Sequence, residues 1–317
     1  MPGEWRPTAS LETLRIRAAI LARVRAFFAG CSVLEVETPM LCRGGLGEPH
    51  ILALRITLAG GRHRYLPPSP EPAMKRLLCA GSGPIYQIAR VFRDGEEGRL
   101  HNPEFTLIEW YRPGFDHHAL MDEVEALVSA LLGSEPFERI RYGRAFEDAL
   151  GLDPHAAGVG ALAACARGLG LVVAAEGLDR GTYLDFLLSH AVTPRLGHDR
   201  PCFLFDFPEP QAAFARVRVG TPPVAERFEL FIQGIEIANG CRELGDGAEQ
   251  RRRLLREEAR RRALGLPTVP LDEPFLAALE SGLPDCAGCA LGLDRLLMVA
   301  TGVGAIQEVL AFPPDRA

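Results

Sequence analysis

Residues 85–113 read IYQIARVFRDGEEGRLHNPEFTLIEWYRP. Ile85, Tyr86, Ile88, Ala89, Val91 and Phe92 form an apolar run that stops at Arg93. After a charged loop, residues 104–111 alternate acidic or polar residues with Phe105, Leu107, Ile108 and Trp110. Two such runs joined by a loop predict a β-hairpin. Its charged tip is either simply solvated or built around Arg93. A guanidinium at a strand end points off the sheet and meets a phosphate in two-pronged geometry. Glu104, Glu109 and Tyr111 are then candidates for one sheet face, since alternate residues share a face unless a bulge intervenes.

Just before this hairpin stands PPSPEPAMKRLLCAG, residues 67–81. Pro72 suits the first turn of a helix that Gly81 ends. Ser69 and Glu71 stand at its start. They are either a cap and a dipole partner, or Glu71 is a carboxylate that faces a cationic ligand. Further upstream, residues 11–29 predict a helix with Leu14, Ala18, Leu21, Val24 and Phe28 on its apolar side and Ser10 as its cap. Residues 33–39 predict a strand that stops at Pro39. Residues 51–58 and 63–66 predict a second hairpin through Gly60 and Gly61.

Downstream, residues 117–132 predict an amphipathic helix, and residues 135–200 an inserted helical segment with no assignable chemistry. Residues 202–207, CFLFDF, predict a buried strand. Residues 227–238 predict one long strand, with Glu229 and Glu236 on opposite sides unless Gly234 marks a bulge. Asn239-Gly240 is a turn signal, which brings Glu236 and Glu243 near one strand end. The arginine-rich run 250–262 is either a solvated helix with internal Glu–Arg pairs or a docking patch for an acidic protein. Residues 286–302 predict a strand, then Gly292, then a helix. There Arg295 either meets an anionic phosphate or pairs with Asp294.

The composition bounds the function class. The 317 residues are 47% hydrophobic, enough for a sizeable core. The net charge of −6 and a pI near 5.8 argue against a general nucleic-acid binder. No long uncharged apolar stretch predicts a membrane span, and MPGEWRPTAS lacks the apolar core of a signal peptide. Cys286 and Cys289 form a lone C-x-x-C with no second pair, so free buried cysteines in a reducing cytoplasm are expected. Lys75 is the sole lysine; arginine carries the rest of the positive charge.

Three of these pieces resemble motifs 1, 2 and 3 of the class II aminoacyl-tRNA synthetases. They are the helix and strand ending at Pro39, the hairpin with Phe92-Arg93, and Gly292-Leu293-Asp294-Arg295. The details are similar to the lysine-specific branch: Ser69-Pro70-Glu71, His101-Asn102-Pro103-Glu104-Phe105, and Gly234-Ile235-Glu236-Ile237-Ala238-Asn239-Gly240. The first motif begins almost at once, so no anticodon-binding barrel is expected. In this the chain resembles the ligase family that joins β-lysine to a lysine of elongation factor P. Glu109-Trp110-Tyr111-Arg112-Pro113 and Pro284-Asp285-Cys286 fit that branch, as does Ala290 where synthetases usually have glycine. One methyl in a tight pocket discriminates substrates by about 1–3 kcal/mol.

The resemblance implies an α+β fold, an antiparallel sheet flanked by helices. It implies a single catalytic domain over residues 1–317 with the insertion at 135–200. It further implies a cytoplasmic homodimer, ATP and Mg2+, β-lysine and elongation factor P as substrates, and no stable tRNA binding. By the same resemblance Arg93 and Arg295 are catalytic, meeting the α- and γ-phosphates. ATP falls to these two with Glu96, Asn102, Phe105, Glu236, Ile237 and Gly292, with Phe105 stacked on adenine. The amino acid falls to Ser69, Pro70, Glu71, Glu109, Tyr111, Asn239, Glu243 and Ala290, and magnesium to Glu236 and Glu243. The family usually has glutamate where this chain has Gly95, so adenine is held either by Glu96 or by backbone groups. A minimal lysyl-tRNA synthetase, a non-catalytic regulatory paralogue and an ammonia-using amide synthetase remain as rivals. The retained Arg93, Glu236, Glu243 and Arg295 speak against the second, and the lysine-type carboxylates against the third.

Overall fold

Ser10 starts the first helix, α1 (Leu11–Gly30): its Oγ accepts from Thr13 N at 3.0 Å, satisfying a donor that a helix start otherwise leaves open. The computed structural model describes residues 5–44, 52–134, 136–171, 178–263 and 265–317. Ile51 and Glu135, which open the expected hairpin and insertion, lie outside the described residues. The buried face of α1 is Thr13, Ile20, Val24 and Phe28, while Ala18 is exposed and Leu14 and Leu21 are half-buried. The expected stripe is therefore rotated. Arg17 sits on the inward side instead, 2.5 Å from the buried Asp294.

Strand β1 is only Leu34–Glu35, shorter than the expected 33–39, and pairs in parallel with a later strand. Strands β2 (Leu54–Thr57) and β3 (His63–Leu66) form the expected antiparallel hairpin. Helix α2 (Glu71–Cys79) follows. Strands β4 (Ile85–Phe92) and β5 (Glu104–Pro113) then pair from Ile85↔Tyr111 to Phe92↔Glu104, the hairpin read from residues 85–113.

The chain divides into two compact units, Met1–Asp116 with Glu243–Ala317, and His117–Arg242. The second unit opens with α3 (His117–Leu132), β6 (Glu138–Arg141) and α4 (Tyr142–Leu150). Then come α5 (Val159–Gly168), α6 (Arg180–Leu187), β7 (Cys202–Pro208), β8 (Val217–Arg218), β9 (Val224–Ile232) and β10 (Ile235–Arg242). Its strand order is β10-β9-β7-β6, with β8 on β9; β6 and β7 run parallel and the other pairs antiparallel. The segment expected as a helical insertion carries α4 to α6 but also β6. Tyr142, Phe146, Leu184 and Phe207 share its core, with Tyr142 stacked on Phe146 at 4.6 Å between centroids.

The expected single strand 227–238 is instead a hairpin. Gln233 and Gly234 both have positive φ, 53° and 72°, the backbone of a tight two-residue turn that matches strand twist. Asn239-Gly240, the stronger turn signal in the sequence, lies inside β10 paired with Glu229 and Phe228. A bulge between Glu236 and Ala238 shifts the register.

The first unit resumes with α7 (Gly247–Ala263), α8 (Glu273–Gly282), β11 (Cys286–Gly292) and α9 (Leu293–Thr301). Its strand order is β1-β4-β5-β11, antiparallel except for β1. Phe28 of α1 stacks on Tyr86 at 4.4 Å and tilts against Trp110 at 5.4 Å. The arginines of α7 are engaged in ion pairs: Arg251 with Glu273, Arg252 and Arg253 with Glu249, and Arg262 with Glu258. The run is thus a helix whose arginines pair with its own glutamates and, through Arg251, with Glu273 of α8. Cys286 and Cys289 are buried free thiols an odd number of residues apart on β11, so they point to opposite faces.

Candidate active site

The register of the first unit collects the site on one face. Gly288, Ala290 and Gly292 of β11 pair with Tyr111, Glu109 and Leu107 of β5. Glu109, Leu107 and Phe105 pair in turn with Gln87, Ala89 and Val91 of β4. Directly paired and alternate residues share a face. Phe105, Glu109, Tyr111, Gly288, Ala290 and Gly292 therefore point one way, and Tyr86 and Trp110 point the other way toward α1. Glu104 belongs to that second side, since it stands at an odd offset from Glu109, and it lies 3.5 Å from Arg90. The proposed grouping of Glu104 with Glu109 and Tyr111 does not hold.

Three carboxylates meet over this face. Glu109, 2% exposed, accepts from Tyr111 Oη and from Ser69 Oγ, each at 2.8 Å. Ser69 Oγ in turn accepts from Glu71 N at 2.9 Å, so one hydroxyl caps α2 and anchors Glu109. Pro70 carries the turn: its carbonyl accepts from Ala73 N and Met74 N. Lys75 Nζ lies 2.5 Å from Glu71 Oε1 and 2.5 Å from Glu243 Oε2, with its side chain 1% exposed. Burial, then the charge of Glu71, holds the Glu109 carboxyl up to about 8. Burial, then Glu109, Glu71 and Glu243, pushes Tyr111 well above the ordinary phenol range. A buried cluster of acidic side chains of this kind favours a cationic ligand.

Gly288 is the floor. A Cβ there would fall 2.3 Å from Tyr111 Cε1 and 2.7 Å from Glu243 Oε1, so only glycine admits this approach. Ala290, one step along the same face, packs beside Phe105 against Ala89, Val91 and Leu107.

At the far end of the hairpin, the Arg93 guanidinium lies over the Phe105 ring, 4.9 Å from its centroid, and 3.5 Å from Glu96 Oε1. Gly95 has φ +76°. Asn102 Nδ2 donates to Glu104 O at 2.6 Å, tying the loop closed. Arg295, in the first turn of α9 behind Gly292, donates to Leu100 O at 3.2 Å and lies 2.9 Å from His101 Nε2. It does not take Asp294. That carboxylate accepts from Thr106 N at 2.7 Å and meets Arg17, which locks α9 to β5 and α1 and leaves Arg295 on the loop side.

In the second unit, Glu236 pairs with Phe231 and Asn239 with Glu229. The turn and the bulge at Ile237 together bring Glu229, Glu236 and Asn239 to one face, where the sequence expectation had Glu229 and Glu236 opposed unless a bulge intervened. Arg227 joins them, 3.3 Å from Asn239 Oδ1 and 2.5 Å from Glu229 Oε1. Glu236 is the second residue of β10, and Glu243 follows its last residue, Arg242, so the two do not share one strand end. Seven residues of strand span about 23 Å.

Sequence reading missed Lys75, Gly288, Glu229 and Arg17. Lys75 carried one signal, its being the sole lysine; Gly288 carried another, a glycine inside a strand.

The family model for class II tRNA synthetases (D, K and N) matches residues 4–316. The chain is 47% identical to the elongation factor P–(R)-β-lysine ligase of Vibrio vulnificus, over 99% of each chain. It is 47% identical to that of Vibrio cholerae over 99% of each, and 45% identical to that of Photobacterium profundum over the whole of both. No helix among the described residues is long and apolar enough to cross a membrane.

Proposed function

The chain belongs to the class II tRNA synthetases (D, K and N), and from that premise we propose that it is an ATP-dependent, AMP-forming ligase that joins β-lysine to a lysine side chain of elongation factor P. The observation that carries this is identity of 47% across 99% of both chains with a relative of that name. The substrate carboxylate attacks the α-phosphorus of ATP, pyrophosphate leaves, and an acyl adenylate forms. The ε-amine of the acceptor lysine then attacks the acyl carbon, an amide forms, AMP leaves and the amine loses a proton.

Such chemistry needs positioning and charge neutralisation more than a protein nucleophile. Arg93 and Arg295 supply fixed cations for the triphosphate. Glu96, Asn102, Phe105 and Gly292 belong to the same nucleotide subsite. Glu71, Glu109, Glu243 and Tyr111, with Ser69 and Pro70 fixing the start of α2, bind the ammonium groups; Ala290 completes the amino-acid subsite. A diammonium substrate matches this cluster, whereas a neutral side chain gains no charge-assisted hydrogen bond from it, a difference of about 1.5–3 kcal/mol. Magnesium takes one or two carboxylates and substrate phosphates. The ends of β10 are too far apart for one ion to bridge Glu236 and Glu243. Glu229 and Glu236, which share a face, would hold it and neutralise phosphate charge there. A homodimer in the cytoplasm completes the proposal.

The test is direct. With ATP, magnesium and (R)-β-lysine, the purified protein should add one lysyl-sized mass to elongation factor P. It should charge tRNA at background only, as its net acidic surface suits phosphate poorly. Efficient tRNA charging with an unmodified factor overturns the reading.

A further inference from the structure

Lys75 is the one lysine in a chain that otherwise uses arginine for every fixed cation. Whatever drives that preference, this position escapes it. The structure supplies a reason. The side chain is 1% exposed and its nitrogen stands 2.5 Å from an oxygen of Glu71 and 2.5 Å from an oxygen of Glu243. The two oxygens are thus within about 5 Å of each other. Two buried carboxylates at that spacing repel, and one takes a proton or swings away unless a cation lies between them. A compact ammonium on a flexible stem fits between two single oxygens, whereas the planar fork of arginine prefers both oxygens of one carboxylate.

The partners come from different parts of the chain. Glu71 sits on α2 one turn before Lys75, and Glu243 follows β10 with its amide donating to Cys286 O at 2.9 Å. Met74 and Leu78 of the same helix pack with Ile85, Tyr111 and Cys286, which fixes the stem's origin. Each carboxylate gives Lys75 one oxygen and has a second. That of Glu243, Oε1, faces the floor made by Gly288 and Tyr111.

We propose that Lys75 is a positioning residue: it holds Glu71 and Glu243 in the paired geometry that receives the amino acid's ammonium group, and so sets selectivity for a diammonium substrate. This rests on the ligase reading above. Lys75 does not touch the reacting atoms; it acts through the two carboxylates.

The experiment is ATP–pyrophosphate exchange by the full chain and by Lys75→Met and Lys75→Arg, with ATP binding measured separately by calorimetry. Wild-type exchange with (R)-β-lysine tests the ligase reading by itself; its absence sinks that reading and leaves Lys75 aside. Given wild-type exchange, Lys75→Met should raise KM for β-lysine at least about tenfold while KM for ATP moves less than about threefold. Lys75→Arg, which keeps the charge, should raise the β-lysine KM as well and should narrow the preference for β-lysine over a monoammonium analogue. A wild-type β-lysine KM in Lys75→Arg overturns the proposal. So does equal damage to both substrates, or loss of folding in both variants, since Lys75 would then serve stability alone.

Discussion

Gly288→Ala adds a single methyl to a strand whose backbone is extended, so its effect is purely steric. The added carbon would lie 2.3 Å and 2.4 Å from Tyr111 Cε1 and Cδ1, and 2.7 Å from Glu243 Oε1. Carbon atoms in good contact sit about 3.5–4.0 Å apart, so the ring must retreat by more than about 1 Å. It has nowhere easy to go: Tyr111 is 2% exposed and its Oη donates to Glu109 at 2.8 Å. Overpacking a filled core costs about 1–3 kcal/mol, and the strained Tyr111–Glu109 bond adds about 1 kcal/mol. The midpoint of thermal unfolding should fall by several degrees, at about 2–4 °C per kcal/mol for a domain of this size. If about 1.4–2.8 kcal/mol falls on the substrate subsite, KM for β-lysine rises about ten- to a hundredfold. Thermal unfolding and pyrophosphate exchange read the two halves separately. A wild-type midpoint would refute the close approach of Tyr111 to Gly288. A lowered midpoint with an unchanged KM would refute the placement of this floor in the substrate subsite.

Three further outcomes follow from the same geometry. Glu109 is held up to about 8 against an ordinary 4.5. The fold therefore retains its proton between those values. Its contribution to stability is complete below about pH 4.5 and is lost as pH rises through about 8. Wild type should lose stability relative to Glu109→Gln over that window, and a difference that is flat or grows with pH would remove the assignment. Asp294→Ala strips a 2% exposed carboxylate from Arg17 and Thr106 N and should cost about 3–5 kcal/mol in chemical denaturation; a loss under about 1 kcal/mol would mean the pair is not structural. Arg93→Ala should slow adenylate formation by about 3–4 kcal/mol in barrier, with near-normal pyrophosphate exchange excluding Arg93 from the triphosphate subsite.

Local signals determined a good part of this protein. The hairpin from Ile85 to Pro113, helix α2 behind Ser69-Pro70-Glu71, and the strand–Gly292–helix step each depend on neighbours a few residues apart, and alternation or capping shows in a single chain. The family resemblance rode on these same segments. Tertiary structure decided the rest, for two physical reasons. Turn chemistry is degenerate: Asn239-Gly240 carries the turn signal and Gly234 reads only as a bulge, yet pairing of β9 with β10 put the reversal at Gln233-Gly234 and moved Glu229 onto the face of Glu236. Long-range contacts have no local trace. Arg17 and Asp294 are 277 residues apart, and the Asp294 that looked like a partner for Arg295 went to α1. Lys75, four residues from Glu71, needed Glu243 beside it before its solitude in the composition acquired a role.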